Sequence, residues 1–141
     1  MFSVSHAAME DKPHFCNEWE NLPESEFDSK IRDKRCYVLS YDDKPIGYMR
    51  YNLIFDFIPF LTFMLIDRSY RQQGFGTKAM SHWEDEMRSL GYKMTMLSTE
   101  VNEDAQNFYR KIGYKDMGSI VMGGIIPIEQ NALEMFMGKA L

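Results

Sequence analysis

A chain of 141 residues, 45% hydrophobic and 26% charged, is long enough to bury a core and ordinary in composition for a globular protein. A net charge of −5 and a pI near 5.2 argue against nucleic acid as the main partner and lean toward a cationic small molecule. The N-terminus has no apolar run of signal-peptide length, and the greasy segment from Leu53 to Ile66 is shorter than the ~18 residues of a membrane helix. The expectation is a cytoplasmic protein with no membrane partner. Cys16 and Cys36 have no metal-ligand spacing, so reduced thiols are the default, with one disulfide left open. His6, His14 and His82 share no ligand spacing either, and no metal is expected.

In chain order, residues 2–6 read as a short strand. Residues 10–19 are helix-prone, with Pro13 tolerated only in the first turn. Asn21-Leu22-Pro23 breaks that helix, and residues 24–34 follow as a second, with Phe27 and Ile31 four apart. Residues 36–41 are a strand, Asp42-Asp43-Lys44-Pro45 a turn, and residues 46–54 the return strand of a hairpin. The near-continuous hydrophobicity of residues 59–66 predicts a central strand covered on both faces. Residues 77–90 carry Met80, Trp83, Met87 and Leu90 at helical spacing and stop at Gly91. Residues 93–99 form a strand, and Ala105, Phe108, Tyr109 and Ile112 mark a helix ended by Gly113. Residues 114–122 and 132–139 close the chain as strands. This order predicts a single α/β domain over residues 1–141, built on a sheet of mixed direction.

Between the central strand and the helix that follows lies Arg71-Gln72-Gln73-Gly74-Phe75-Gly76-Thr77. Glycine at 74 and 76 permits a tight turn and close approach of a ligand to the backbone. The helix start adds unpaired N–H groups and the positive end of a dipole, which together suit a phosphate. Arg71 brings a positive charge to the mouth, whereas Lys78 reads as solvated helix surface by default.

This loop is similar to the R/Q-x-x-G-x-G/A pyrophosphate loop of the GCN5-related N-acetyltransferases (GNAT). The run from Asn102 through Ala105, Tyr109 and Lys111 to Gly113-Tyr114 resembles the second signature of that family, N-x-x-A-x-x-x-Y-x-K-x-G-F/Y. The two motifs stand in the right order with a strand between them, and the resemblance extends over about the whole chain, least well in the first ~30 residues. It implies the acyl-CoA N-acyltransferase fold, a mostly antiparallel mixed sheet splayed between its two central strands with helices on both faces. It also implies acetyl-CoA as cosubstrate and direct transfer, in a ternary complex, to a primary amine of a small molecule or peptide.

Carried onto this chain, the resemblance puts the backbone amides of Gln72, Gly74, Gly76 and Thr77 on the pyrophosphate, within the loop that includes Gln73 and Phe75, with Arg71 assisting. The main chain of Leu65 and Ile66 would pair with the pantetheine arm as an added strand. Asn102 would touch the cofactor by its side chain, although helix N-capping explains an Asn there as well. Tyr109 would donate the proton to the departing CoA sulfur, a transfer between groups with reference pKa values near ~10 and ~8.5. Core packing is the alternative for Tyr109. A backbone N–H near Ile66 would stabilise the oxyanion. Glu100 is the candidate general base, with Asp56 and Glu134 as rivals, an exposed carboxylate as the bland alternative for each, and a water relay in place of all three.

Two rival readings come from other classes. Gly74-Phe75-Gly76-Thr77-Lys78-Ala79 also fits G-x-G-x-x-G/A, and Glu100, 24 positions after Gly76, could serve as a ribose-binding acid of a dinucleotide-dependent oxidoreductase. Against it, residues 67–73 are a polar loop where that fingerprint needs a strand, and repeated βαβ units are missing. The other rival is a non-catalytic CoA-binding regulatory domain, which the presence of both the Arg71-to-Gly76 loop and Tyr109 disfavours. The apolar run Gly123-Gly124-Ile125-Ile126-Pro127-Ile128 is the candidate surface for a homodimer.

Overall fold

The computed structural model describes residues 1–18, 21–101, 104–122 and 133–141. Its strands are β1 (Phe2–His6), β2 (Cys36–Tyr41), β3 (Lys44–Ile54), β4 (Ile58–Ile66), β5 (Met94–Glu100), β6 (Lys115–Val121) and β7 (Leu133–Ala140). They form a seven-stranded sheet in the order β1-β2-β3-β4-β5-β7-β6. β1 with β2, β2 with β3, β5 with β7 and β6 with β7 are antiparallel, and β4 with β5 is parallel. The longer helices are α1 (Glu24–Asp33), α2 (Phe75–Ser89) and α3 (Ala105–Lys111). The mixed α/β architecture expected from the element order is therefore present. Two compact units are distinguishable, residues 1–52 with 62–82 and residues 53–61 with 83–141.

In the first unit, Phe15 and Phe27 pack on Tyr48 of β3, with ring centroids 5.3 Å apart for the Phe pair and 5.0 Å from Phe15 to Tyr48. Val38 and Cys36 of β2 complete this core. Tyr37, one residue from Val38 and so on the opposite face of the strand, meets His82 of α2 edge-on at 6.4 Å. Helices thus cover both faces of this part of the sheet. Burial pushes the Cys36 thiol up to about 12, which keeps it protonated, and no disulfide joins Cys16 to Cys36.

Local chemistry accounts for most boundaries here. The helix expected over residues 10–19 is instead a 3₁₀ turn (Met9–Asp11) and a π-helical turn (His14–Glu18), and Trp19 lies outside the described residues. Pro13 has no N–H to donate and its ring crowds the preceding turn, so a regular helix cannot run through it. α1 begins after Pro23, carries Glu24 and Glu26 in its first turn and Lys30 and Arg32 in its last, and ends on Lys34 in the left-handed region. The β2–β3 connection is tighter than expected. Asp42 and Asp43 both have positive φ, as a two-residue hairpin turn of the I′ type requires, and β3 already begins at Lys44.

In the second unit, Phe55 and Asp56 make another two-residue turn with positive φ, and the Phe57 N–H donates to the Ile54 carbonyl at 3.3 Å. The parallel ladder sets Phe60 opposite Met96 and Leu61 opposite Leu97. Central position is borne out for β4, but cover on both faces is not: Pro59 and Leu61 are buried, whereas Phe63 is 42% exposed. The stripe of α2 keeps Met80, Trp83 and Met87 buried but loses Leu90, which is 60% exposed. The helix ends at Ser89, and Gly91, at φ +93, turns the chain so that Tyr92 N–H caps the Met87 carbonyl. Ala132 and the apolar run of residues 123–128 lie outside the described residues.

Candidate active site

β4 ends at Ile66 and feeds a 3₁₀ turn (Arg68–Tyr70) before α2 begins. The junction is tied down at each step. Asp67 N–H donates to the Ile46 carbonyl of β3 at 2.7 Å, and Arg71 Nε donates to the Ile66 carbonyl at 2.7 Å. Gln73 Nε2 donates to the Ser69 carbonyl at 3.2 Å. Gln72 and Gly74 both take positive φ, +60° and +83°. Arg71 therefore braces the end of β4 through one guanidinium nitrogen, a role its position in the motif does not disclose.

α2 starts at Phe75, two residues earlier than the apolar stripe indicates, so Gly76 and Thr77 belong to its first turn. Lys78 N–H donates to the Gly74 carbonyl at 3.2 Å, the first i to i+4 bond of the helix. The N–H groups of Phe75, Gly76 and Thr77 precede that bond and have no acceptor within the helix. A Cβ placed on Gly74 would meet nothing within 4 Å, so the space in front of this turn is open. The Phe75 side chain points the other way and is 6% exposed. It stacks on Phe2 of β1 at 4.9 Å and tilts against Tyr41 of β2 at 5.3 Å, which anchors the helix start to the sheet. Lys78 Nζ sits 5.9 Å above the Phe75 ring, so its charge stays at this turn. Open backbone donors, the helix dipole and a nearby ammonium can hold a diphosphate, and these residues fit one.

Leu65 and Ile66 are held by an approach the sequence reading missed. A Cβ on Gly47 would fall 2.1 Å from the Leu65 carbonyl oxygen and 3.0 Å from Ile66 Cα. The available signal was a lone glycine inside a strand pattern, which often marks close contact with another backbone.

The remaining expected residues lie in the second unit. Tyr109, on α3, is 8% exposed and meets Tyr114 edge-on at 5.9 Å and Phe108 at 5.1 Å. Tyr114 ends the second motif and is the hub of a buried polar network. Its hydroxyl donates to Glu84 Oε2 of α2 at 2.9 Å and lies 2.8 Å from Thr95 Oγ1 of β5, which accordingly donates to it. Lys139 Nζ of β7 donates to Glu84 Oε1 at 2.8 Å and lies 5.8 Å over the Tyr114 ring. Burial, reinforced by the Glu84 carboxylate against the opposing Thr95 hydrogen bond, holds the Tyr114 phenol far above its ordinary pKa, so it stays a donor. A carboxylate between Met80 and Met87 on an apolar stripe was the visible sign of this network. Glu100 is the last residue of β5 and stands opposite Glu134 of β7, so two rival bases share one register position. Asp56 is exposed at the tip of the β3–β4 turn, and Asn102 lies outside the described residues. Among the described residues no group of three or more His, Cys, Asp or Glu could hold a metal, and no helix is long and apolar enough to cross a membrane.

Residues 3–114 match the model of the acetyltransferase (GNAT) family. The ribosomal-protein-S18-alanine N-acetyltransferase from Escherichia coli is similar over 99% of this chain and 94% of its own, at 18% identity and a TM-score of 0.80. Ard1 from Thermoplasma volcanium covers 99% of this chain and 97% of its own at 12% identity, with a TM-score of 0.81. A GNAT family acetyltransferase from Elizabethkingia anophelis with acetyl-CoA bound matches over 99% and 98%, at 15% identity and a TM-score of 0.78. At these identities the likeness is one of fold.

Proposed function

The chain belongs to the acetyltransferase (GNAT) family, and from that premise we propose that it moves the acetyl group of acetyl-CoA directly to a primary amine of a small molecule or peptide in a ternary complex. Acetyl-CoA supplies the activated acyl carbon and the thiolate leaving group. The observation that carries the reading is the start of α2, where Phe75, Gly76 and Thr77 offer N–H groups in front of an open Gly74. We assign these amides, with that of Gln72, to the pyrophosphate, and Lys78 to the local positive potential. Arg71 holds the Ile66 carbonyl, and so fixes the strand end on which the pantetheine arm pairs. Tyr109 is the proton donor to the leaving sulfur, its ring held edge-on by Tyr114. Glu100 is the base that takes the acceptor's proton, directly or through water.

Thermal unfolding with acetyl-CoA, NADH or no ligand tests the cradle. At about 100 times its Kd, acetyl-CoA should add roughly 2.7 kcal/mol, a rise of roughly 5–10 °C for a domain of this size. Gly74→Asp, which sets a carboxylate against phosphate, should lose most of that rise. An equal rise in the variant would remove the loop from cofactor binding, and stabilisation by NADH alone would revive the dinucleotide reading. For the proton donor, Tyr109→Phe should lower kcat by ~10²-fold or more, a larger effect than on acetyl-CoA affinity. Unchanged kcat would take Tyr109 out of the mechanism.

A further inference from the structure

Tyr114 is joined to Tyr109 twice, once through the backbone and once through the rings. Its N–H donates to the Tyr109 carbonyl at 3.0 Å, and the Ile112 N–H reaches the same oxygen at 3.2 Å, so α3 closes on a carbonyl with two donors. The two rings then meet edge-on at 5.9 Å, with 72° between their planes. α3 has only seven residues, and so short a helix is marginal on its own hydrogen bonds. What fixes the direction of the Tyr109 side chain has to come from outside the helix, and Tyr114 is a route by which it can arrive.

The far end of the Tyr114 ring is held from three elements. Its hydroxyl donates to Glu84 Oε2 of α2 at 2.9 Å and accepts from Thr95 Oγ1 of β5 at 2.8 Å. Lys139 Nζ of β7 donates to the second oxygen of Glu84 at 2.8 Å, so the carboxylate is both oriented and neutralised. Tyr114, Glu84 and Thr95 are all buried. Gly113, directly before Tyr114, leaves room for this arrangement. It stands at φ +105°, and a Cβ on it would lie 3.2 Å from Lys139 Cε and 3.7 Å from Nζ. One glycine therefore serves the left-handed turn out of α3 and the passage of the lysine stem toward Glu84.

Resting on the reading of Tyr109 as proton donor, we propose that the chain Lys139–Glu84–Tyr114 aims the Tyr109 phenol at the departing sulfur. Tyr114, Glu84 and Lys139 are positioning residues in this scheme, since each acts through the Tyr109 ring. Proton transfer requires hydrogen-bond distance and alignment, so a small swing of the ring is enough to slow it. A phenylalanine at 114 would supply the same edge-on packing. The hydroxyl adds direction, because two directional hydrogen bonds select one placement of the ring where apolar contact admits several. A buried ion pair is a poor way to gain stability over well-packed apolar side chains, and fixing one conformation is what it can add.

The test is a double-mutant cycle on kcat. Tyr114→Phe removes the anchor and keeps the ring; it should lower kcat about 10-fold, less than the ~10²-fold of a full misplacement, with little change in either KM. In a Tyr109→Phe background the same substitution should leave the remaining kcat where it is, because no donor is left to aim. An equal loss in both backgrounds is what general weakening of the fold would produce, and it would overturn the proposal, as would parental kcat in Tyr114→Phe. Lys139→Met should lower kcat in the same sense, and Lys139→Arg should restore most of it by returning a counter-charge to Glu84. A loss that arginine does not restore would overturn the part given to that charge. A second arm needs no turnover: fluorine NMR of the protein with fluorotyrosine incorporated at position 109. One narrow resonance is expected with Tyr114 in place, and a broadened or doubled one in Tyr114→Phe; identical spectra would overturn the proposal. Parental kcat in Tyr109→Phe, with the resonance still responding to Tyr114→Phe, would refute Tyr109 as proton donor and leave the anchoring of its ring standing.

Discussion

Gly47→Ala is expected to destabilise the protein by about 3 kcal/mol or more and to weaken acetyl-CoA binding with it. The added methyl would lie 2.1 Å from the Leu65 carbonyl oxygen and 3.0 Å from Ile66 Cα, well inside van der Waals contact. Both obstacles are backbone, so no rotamer change relieves the clash, and the strands must separate. Separation would pull on the Asp67 N–H to Ile46 carbonyl bond, 2.7 Å long, and on the flanking Ile46, Tyr48 and Met49, all fully buried. Overpacking of a core costs about 1–3 kcal/mol when side chains can adjust, and this site lacks that freedom. The same movement displaces Leu65 and Ile66, the segment assigned to the pantetheine arm. Urea unfolding and acetyl-CoA titration check the two parts. Parent-like stability would mean that β3 and β4 are not in such close contact at this point.

Removing the carboxylate of the buried network should have an effect of similar size. Glu84 accepts from Tyr114 and Lys139 at once, and its side chain is 6% exposed against 23% for Lys139. Glu84→Leu would leave the Lys139 ammonium without its counter-charge and the Tyr114 hydroxyl with Thr95 alone. Breaking one side of a buried pair typically costs 3–5 kcal/mol, and the partial exposure of Lys139 places the expected loss near the lower end, about 3 kcal/mol. The double variant Glu84→Leu/Lys139→Met should recover much of this, because no unpaired charge remains. Unfolding midpoints of the two single variants and the double variant form the cycle that measures the coupling. Strict additivity would show that the pair contributes nothing as a pair.

The parts of the candidate site that were legible from residues are those made by neighbours in the chain. The turn at Gly74 and the helix start after it are local, since they follow from glycine conformation and the unpaired N–H groups of a first turn. The burial of Tyr109 on the apolar stripe of α3 followed from spacing alone. Misjudged boundaries were also local in cause. Phe75 looked like loop because its anchoring partners, Phe2 and Tyr41, come from strands far away in sequence. Leu90 looked like core because periodicity cannot see where the cap at Gly91 turns the chain.

Periodicity, turn chemistry and two motifs, then, were enough by themselves to determine the order of the strands, the mixed α/β class, the family and the loop that we assign to phosphate. What only the tertiary structure decided is partnership across strands: Gly47 against Leu65, Glu84 with Tyr114 and Lys139, Glu100 opposite Glu134, and Lys30 beneath Asn52. These pairings depend on register and on which face each residue occupies, and a shift of one position would exchange them all. Backbone conformation is set within a few residues, whereas a charge finds its partner only after the sheet has closed.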